Sequence, residues 1–152
     1  MTIAAILKGR DHAIVHCPPE TSVRDAARLL AEKRIGALPV LPRLDGGVSG
    51  AVQGIFSERD LLYCLAQDGV AVLDRPVSEV MTSPVISVRR DTAVLDALSL
   101  MTERRIRHLP VMESGGNDPW LVGFLSIGDL VKYRLEKMER EAEEMRDYIR
   151  GA

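Results

Sequence analysis

A seven-residue pattern occurs twice in this chain, and its spacing constrains the fold more than any other feature. Gly54-Ile55-Phe56-Ser57-Glu58-Arg59-Asp60 returns as Gly123-Phe124-Leu125-Ser126-Ile127-Gly128-Asp129. Upstream, Thr21 and Thr92, Asp25 and Asp96, Leu29 and Leu100, Ile35 and Ile106, and Pro39 and Pro110 are each 71 apart. From Gly54 and Gly123 onward the offset is 69, because the intervening loop is two residues shorter in the second copy. This is a tandem duplication. In 152 residues, two units each too small for a full core are expected to bury their sheets and helices against each other.

The pattern itself reads as a buried strand end, a Ser at the boundary, and a helix start carrying an Asp. The first N–H groups of a helix lack partners and its dipole favours negative charge, so such a boundary suits an anionic ligand. The Asp can accept two hydrogen bonds at once, as a ribose diol would offer. Ser-x-x-Asp is also close to a capping box, which would merely close the helix end.

Around the pattern each unit reads strand–helix–strand–strand–helix, an α+β class. Thr2 can cap a short helix ending at Gly9. Ala13–Cys17 reads as a strand stopped by Pro18-Pro19. Thr21-Ser22 opens a helix with Val23, Ala26, Ala27, Leu30 and Ala31 on one face. Leu38–Leu41 is a short strand with an edge-type proline, Asp45-Gly46-Gly47 a turn, and Val48–Phe56 the strand closing the hairpin. A helix through about Gln67 ends at Asp68-Gly69, and Asp74-Arg75-Pro76 is the linker. The second unit repeats this order. Val85–Val88 is a strand, Thr92 opens a helix with Val94, Leu98 and Met101 inward, Ser114–Pro119 is a turn, and Trp120–Leu125 closes. The units are expected to span 7–73 and 77–135, with a helical extension over 136–152.

Composition narrows the function classes. A net charge of −2 and a pI near 5.9 give no electrostatic case for nucleic acid. Cys17 and Cys64, without a Cys-x-x-Cys or a His-rich partner, argue against a zinc site or disulfide scaffold, and reduced thiols are the default. Their pairing stays open. The first residues lack the basic region of a secretory signal, and no run reaches the ~20 apolar residues of a membrane span. A cytoplasmic location is expected. Three histidines (His12, His16, His108) have no nucleophile at motif spacing, so an enzyme is not expected. In the tail, Val131, Leu135, Met138, Ala142, Met145 and Ile149 alternate spacings of four and three, a coiled-coil seam. Glu136 and Arg140 stand at i,i+4. The stripe outruns the repeat, so self-association into a homodimer is expected over packing on its own domain.

Taken together these motifs resemble the CBS domain family, as a stand-alone tandem pair. The resemblance rests on Thr21-Ser22-Val23, Ile35-Gly36-Ala37-Leu38-Pro39-Val40 and the first heptapeptide. In the second copy it rests on Met81-Thr82-Ser83-Pro84-Val85, Ile106-Arg107-His108-Leu109-Pro110-Val111 and the second heptapeptide. It implies two α/β units related by a pseudo-two-fold, often joined into dimeric discs. It also implies clefts that bind AMP, ADP, ATP, NAD(H) or S-adenosylmethionine as a regulatory ligand, with no catalytic cofactor. By that resemblance Asp60 and Asp129 hold ribose hydroxyls, and Ser57 and Ser126 approach phosphate. Each cleft is completed by the other unit, pairing Asp60 with Thr82, Pro84, Val85, Ile106, Arg107 and His108. Asp129 is paired with Asp11, Ile14, Ile35, Gly36 and Ala37.

The residues themselves agree on the chemistry. Ile35 and Ile106 can flank a purine, and Arg59, Arg107 and His108 can meet phosphate, although solvated arginines and a hydrogen-bonded edge histidine fit the same positions. The two clefts are expected to differ. Gly128 replaces Arg59, Gly36-Ala37 replaces Arg107-His108, and Asp11 stands where the second unit has Thr82. The expected function is a nucleotide sensor acting on its own shape, its dimer contacts or a regulated partner protein. The alternative is an interaction module without obligatory ligand.

Overall fold

The computed structural model describes residues 1–9, 13–42, 51–115 and 118–151, and of Asp118 the backbone. The expected turn at Asp45–Gly47, the start of the Val48–Phe56 strand, Asp11 and His12 lie outside these residues. Helix α1 (Ile3–Leu7) precedes α2 (Val23–Lys33), β1 (Ala37–Val40), β2 (Gly54–Ser57) and α3 (Glu58–Asp68). Two 3-10 turns, Val70–Asp74 and Val77–Glu79, lead to α4 (Val94–Arg104), β3 (His108–Gly115), β4 (Asp118–Ser126) and α5 (Ile127–Arg150). The duplication is visible as two antiparallel hairpins, β1–β2 and β3–β4, each followed by a helix.

The strands expected over Ala13–Cys17 and Val85–Val88 shrink to one parallel bridge each, Cys17 to Val40 and Val88 to Val111. Proline explains this. Cys17 N–H donates to Pro39 O at 3.3 Å and Leu41 N–H to Cys17 O at 3.1 Å. The next bond back would need an N–H from Pro39, and the next forward one from Pro19; neither exists. The second unit repeats the pair, with Val88 N–H to Pro110 O at 3.0 Å and Met112 N–H to Val88 O at 2.8 Å, and Pro110 blocks the preceding step. In the other direction β3–β4 is longer than expected. Gly115 pairs with Asp118, so most of the predicted Ser114–Pro119 turn is strand.

Helix ends follow side-chain chemistry, with two corrections. Ser22 caps α2 by accepting the Asp25 N–H at 3.1 Å. Thr92 does not cap α4; Ala93 stands there, and the Thr92 hydroxyl instead accepts the Arg89 N–H at 3.0 Å. Thr2 occupies the cap position of α1 without a side-chain bond. Both α2 and α4 end on an arginine in the left-handed region, Arg34 at φ 53 and Arg105 at φ 54, where a non-glycine residue is uncommon. On α2, Val23, Ala26 and Leu30 are buried but Ala31 is exposed, so the covered face is narrower than its apolar spacing.

Each unit has its own core, and the chain crosses over to build it. The first packs Val23, Leu30, Leu38, Phe56 and Val72; the second packs Val94, Met101, Leu109, Leu125 and Leu130. Ile3 and Ile6 of α1 belong to the second core, while Val77 belongs to the first. The crossings are equivalent: Ile3 N–H donates to Thr92 O at 2.9 Å, and Val77 N–H to Thr21 O at 2.7 Å. The predicted linker is therefore tied down. Arg75 O accepts the Val23 N–H at 2.9 Å, and the Arg75 guanidinium reaches Asp68 at 3.1 Å.

The crossing segments also explain the glycine that opens each heptapeptide. A Cβ at Gly54 would collide with the Met81 sulfur, and one at Gly123 would lie 2.7 Å from Leu7 Cδ2. Cys17 and Cys64 are free and buried in the first core. Burial pushes the Cys17 thiol up to about 11, keeping it neutral.

Candidate nucleotide-binding cleft

Both Ser-x-x-Asp sequences form complete capping boxes. Ser57 N–H donates to Asp60 Oδ2 at 2.9 Å, the Ser57 hydroxyl donates to the same oxygen at 3.0 Å, and Asp60 N–H donates back to Ser57 Oγ at 3.3 Å. In the second copy, Ser126 N–H donates to Asp129 Oδ2 at 2.8 Å and Asp129 N–H to Ser126 Oγ at 3.2 Å. The cap is therefore present at both places, and a ligand would meet a carboxylate already oriented by its helix.

A cleft of about 350 Å³ opens beside the first cap and is walled by both units. The first unit contributes Ile55, Ser57, Glu58, Arg59, Asp60 and Tyr63; Thr82, Pro84, Val85 and Ile86 come from the crossing segment, and Arg105, Ile106, Arg107 and His108 from the second unit. Asp60 and every residue the sequence paired with it are thus brought together. The crossing segment is held there by a two-bond bridge, Ile55 N–H to Thr82 O at 3.0 Å and Thr82 N–H to Ile55 O at 2.8 Å. The Thr82 hydroxyl donates to Asp60 Oδ1 at 2.8 Å. A carboxylate offers about four acceptor positions; Oδ2 already receives two donors and Oδ1 one, so a second bond to a diol requires Thr82 to rotate away.

Charge in the cleft is mixed. Arg59 lies at its edge with Nη1 donating to Arg105 O at 3.4 Å, and Arg105 and Arg107 supply two further guanidinium groups. Glu58 and Asp60 supply the carboxylates. His108 stacks on Phe124 with centroids 5.7 Å apart and planes 11° apart. Burial lowers its pKa, Asp129 and Glu58 oppose that shift, and Arg107 adds to it. The ring is therefore neutral near pH 7 and can both donate and accept.

Gly36 departs from its expected place. It was paired with Asp129 but lines the Asp60 cleft. A Cβ there would sit 3.3 Å from His108 Cε1, so the absence of a side chain at 36 makes room for the histidine of the other unit. The remaining residues of the second arrangement, Ile14, Ile35, Ala37, Ser126, Gly128 and Asp129, line neither this cleft nor a shallower hollow bounded by Arg89, Asp96 and Glu103.

Sequence reasoning missed Ile55, Glu58, Tyr63, Ile86 and Arg105. Two signals were available. Tyr63 follows Asp60 by three residues, placing it on the same helical face. Arg105 is the left-handed residue that ends α4, a position the 71-residue offset pairs with Arg34. Among the described residues no group of His, Cys, Asp and Glu could hold a metal ion, and no helix is long and apolar enough to cross a membrane.

This chain belongs to the CBS domain family, which matches residues 10–67 and 77–136. A mitochondrial CBS domain-containing protein of Arabidopsis thaliana is 32% identical over 156 residues, covering 99% of this chain and 72% of the plant protein. The crystal structure of a CBS-domain-containing protein from Agrobacterium tumefaciens matches with a TM-score of 0.75 at 35% identity, covering 88% of this chain and 98% of that one. A CBS domain protein from Pyrobaculum aerophilum, solved in complex with AMP, matches with a TM-score of 0.68 at 29% identity over 85% of this chain and 89% of that one.

Proposed function

We propose that this chain is a non-catalytic regulatory module that binds an adenine nucleotide in the cleft beside Asp60. The observation carrying this reading is the cleft's composition. A carboxylate pre-oriented by a capping box faces apolar Val85 and Ile106 and three guanidinium groups, in a space within the usual range for small ligands. The AMP-bound Pyrobaculum protein supports it from outside the chain. In this reading Asp60 accepts the ribose hydroxyls, Val85 and Ile106 flank the purine, and Arg59 and Arg107 pair with phosphate, as guanidinium groups do. Ser57 approaches the phosphate from the helix N-terminus.

Signalling then follows from wall ownership. The ligand touches the first unit, the crossing segment and the second unit together, so it favours whichever arrangement of the units closes the cleft. It can shift that arrangement only by its differential affinity for the two states. Isothermal titration of purified protein with AMP, ATP and NADH tests the reading, alongside the ligand-linked rise in melting temperature expected by mass action. Heat and a thermal shift with at least one of the three are expected; neither with any of them overturns it.

A further inference from the structure

Helix α5 carries an apolar surface that the described residues of both units leave open. Its first turns pack inward through Leu130, which is fully buried, and Tyr133, which lies against the second core. Lys137 follows on the same side with its side chain 29% exposed. At 3.6 residues per turn, the stripe Val131, Leu135, Met138, Ala142, Met145 and Ile149 falls on the opposite side. It is open: Leu135 is 55% exposed, Met145 61% and Ile149 67%. The stripe therefore does not pack on its own unit. Beyond Lys137 every described residue of the helix is exposed, although a helix end without tertiary support is marginal in water.

We propose that this stripe is the seam of a parallel, in-register two-helix coiled coil formed with a second copy of this chain. The charges beside the seam select both the occupant and the direction. With Leu135, Ala142 and Ile149 at a and Val131, Met138 and Met145 at d, the flanking g positions hold Arg134 and Glu141, and the e positions hold Glu139 and Arg146. In a parallel pair each g residue faces the e residue of the next heptad on the other helix. Arg134 then meets Glu139 and Glu141 meets Arg146, opposite charges at both places and doubled by symmetry. Reversing one helix with the whole seam overlapped sets Glu139 against Glu139, Glu141 against Glu141 and Lys132 against Arg146. Those like-charge contacts disfavour the reversed arrangement. Glu141 holds Lys137 of its own chain at 3.7 Å through Oε1, which leaves Oε2 for the partner helix. The pairing is independent of what the cleft binds, and it places the two modules side by side at one end of the seam.

Cysteine cross-linking of the full chain reads the geometry directly. Position 142 faces its own copy across the seam in a parallel, in-register pair, so a thiol there meets its twin on the other helix. Ala142→Cys under mild oxidation is expected to give at least about tenfold more covalent dimer than Arg140→Cys, which points away from the seam. Wild-type protein reports any background from Cys17 and Cys64. Equal cross-linking at 140 and 142, or none at 142, overturns the proposal. Sedimentation equilibrium supplies the second arm. Glu141→Arg is expected to weaken the dimer about tenfold, with recovery in Glu141→Arg/Arg146→Glu. Added to Ala142→Cys, the pair Leu135→Glu/Met145→Glu is expected to abolish the 142 cross-link, whether or not the modules also meet through their domains. A monomeric wild type, a 142 cross-link that survives the two seam substitutions, or no recovery in the charge swap would each defeat it.

Discussion

Ser57–Asp60 and Ser126–Asp129 close their helices with bonds of 2.9 and 2.8 Å from serine N–H to carboxylate and 3.3 and 3.2 Å in return. The backbone one step away also agrees: Glu58 N–H donates to Gly36 O at 3.0 Å, and Ile127 N–H to Arg107 O at 2.8 Å. The side chains at those carbonyl positions do not agree. Arg107 and His108 stand where the first unit has Gly36 and Ala37. Where the two units meet, position 36 of one faces position 108 of the other, which are not copies of one position, and the space that takes the histidine ring cannot take a second bulky group. Gly36 lies against the His108 ring for that reason. Duplication supplied two equal carboxylate caps, and packing at the junction made their surroundings unequal.

The largest expected effect breaks that equality at the caps. Asp60→Ala removes an acceptor of charge-assisted hydrogen bonds, each worth about 1.5–3 kcal/mol, so AMP affinity at the proposed cleft is expected to fall at least about tenfold by titration calorimetry. Asp129→Ala should leave that site's affinity unchanged while costing the same cap, about 1 kcal/mol of stability. Asp60→Asn keeps a cap acceptor but loses the charge, and separates the two roles. Equal binding losses from the alanine changes at 60 and 129 would mean that the caps act only through stability.

Next come the glycines that seat the crossing segments. Alanine at 54 overlaps the Met81 sulfur and alanine at 123 meets Leu7, so each is expected to cost about 1–3 kcal/mol as overpacking. Urea unfolding of Gly54→Ala/Met81→Ala and Gly123→Ala/Leu7→Ala should show less loss than the summed single changes, because each partner truncation opens the needed space. Strict additivity in either pair would remove the close approach as the reason for that glycine.

Much of this was legible because the repeat is written in residues with fixed local roles. Ser57, Asp60, Ser126 and Asp129 set their caps through neighbours three residues away, so sequence spacing alone placed them. The cross-unit walls at Thr82, Pro84, Ile106 and Arg107 were legible through the resemblance and not through spacing, since no local rule brings residue 60 to residue 107. Other features depended on what lies across the chain. The strands at 13–17 and 85–88 carry strand-like residues, yet their length is set by prolines, Pro39 and Pro110 across the ladder and Pro19 just past the first segment. Glu136 and Arg140 have the spacing of a helix pair, but Lys132 takes Glu136 at 4.0 Å from the other side. The seam in α5 could be read from its period, whereas its separation from the buried face of the helix needed the position of Leu130 and Tyr133.

Arg107 gives a smaller test of the asymmetric wall. Arg107→Ala is expected to weaken ATP about tenfold, within the range for a lost hydrogen bond to a charged group, and to leave adenosine nearly unchanged. Calorimetry with ATP and adenosine compares the two directly. An equal loss for both would place Arg107 at the purine or in the fold instead of at phosphate.

The smallest effect should come from His108, whose counterpart in the other unit, Ala37, cannot titrate. Burial holds the folded pKa below the ordinary value of 6.5, against the pull of Asp129 and Glu58. The unfolded chain therefore takes up this proton first as pH falls and binds more protons than the folded chain, so stability rises with pH across that interval. The contribution is fully present above the unfolded pKa, is lost as pH falls from about 6.5 toward the folded value, and changes no further below it. Unfolding midpoints measured across this range should slope downward toward acid in the wild type, with a shallower slope in His108→Gln. Asp129→Asn removes a carboxylate that favours the charged ring, so it should extend the interval to lower pH. An unaltered slope in His108→Gln would assign the acid sensitivity to other groups, and the pH response would no longer distinguish the two halves.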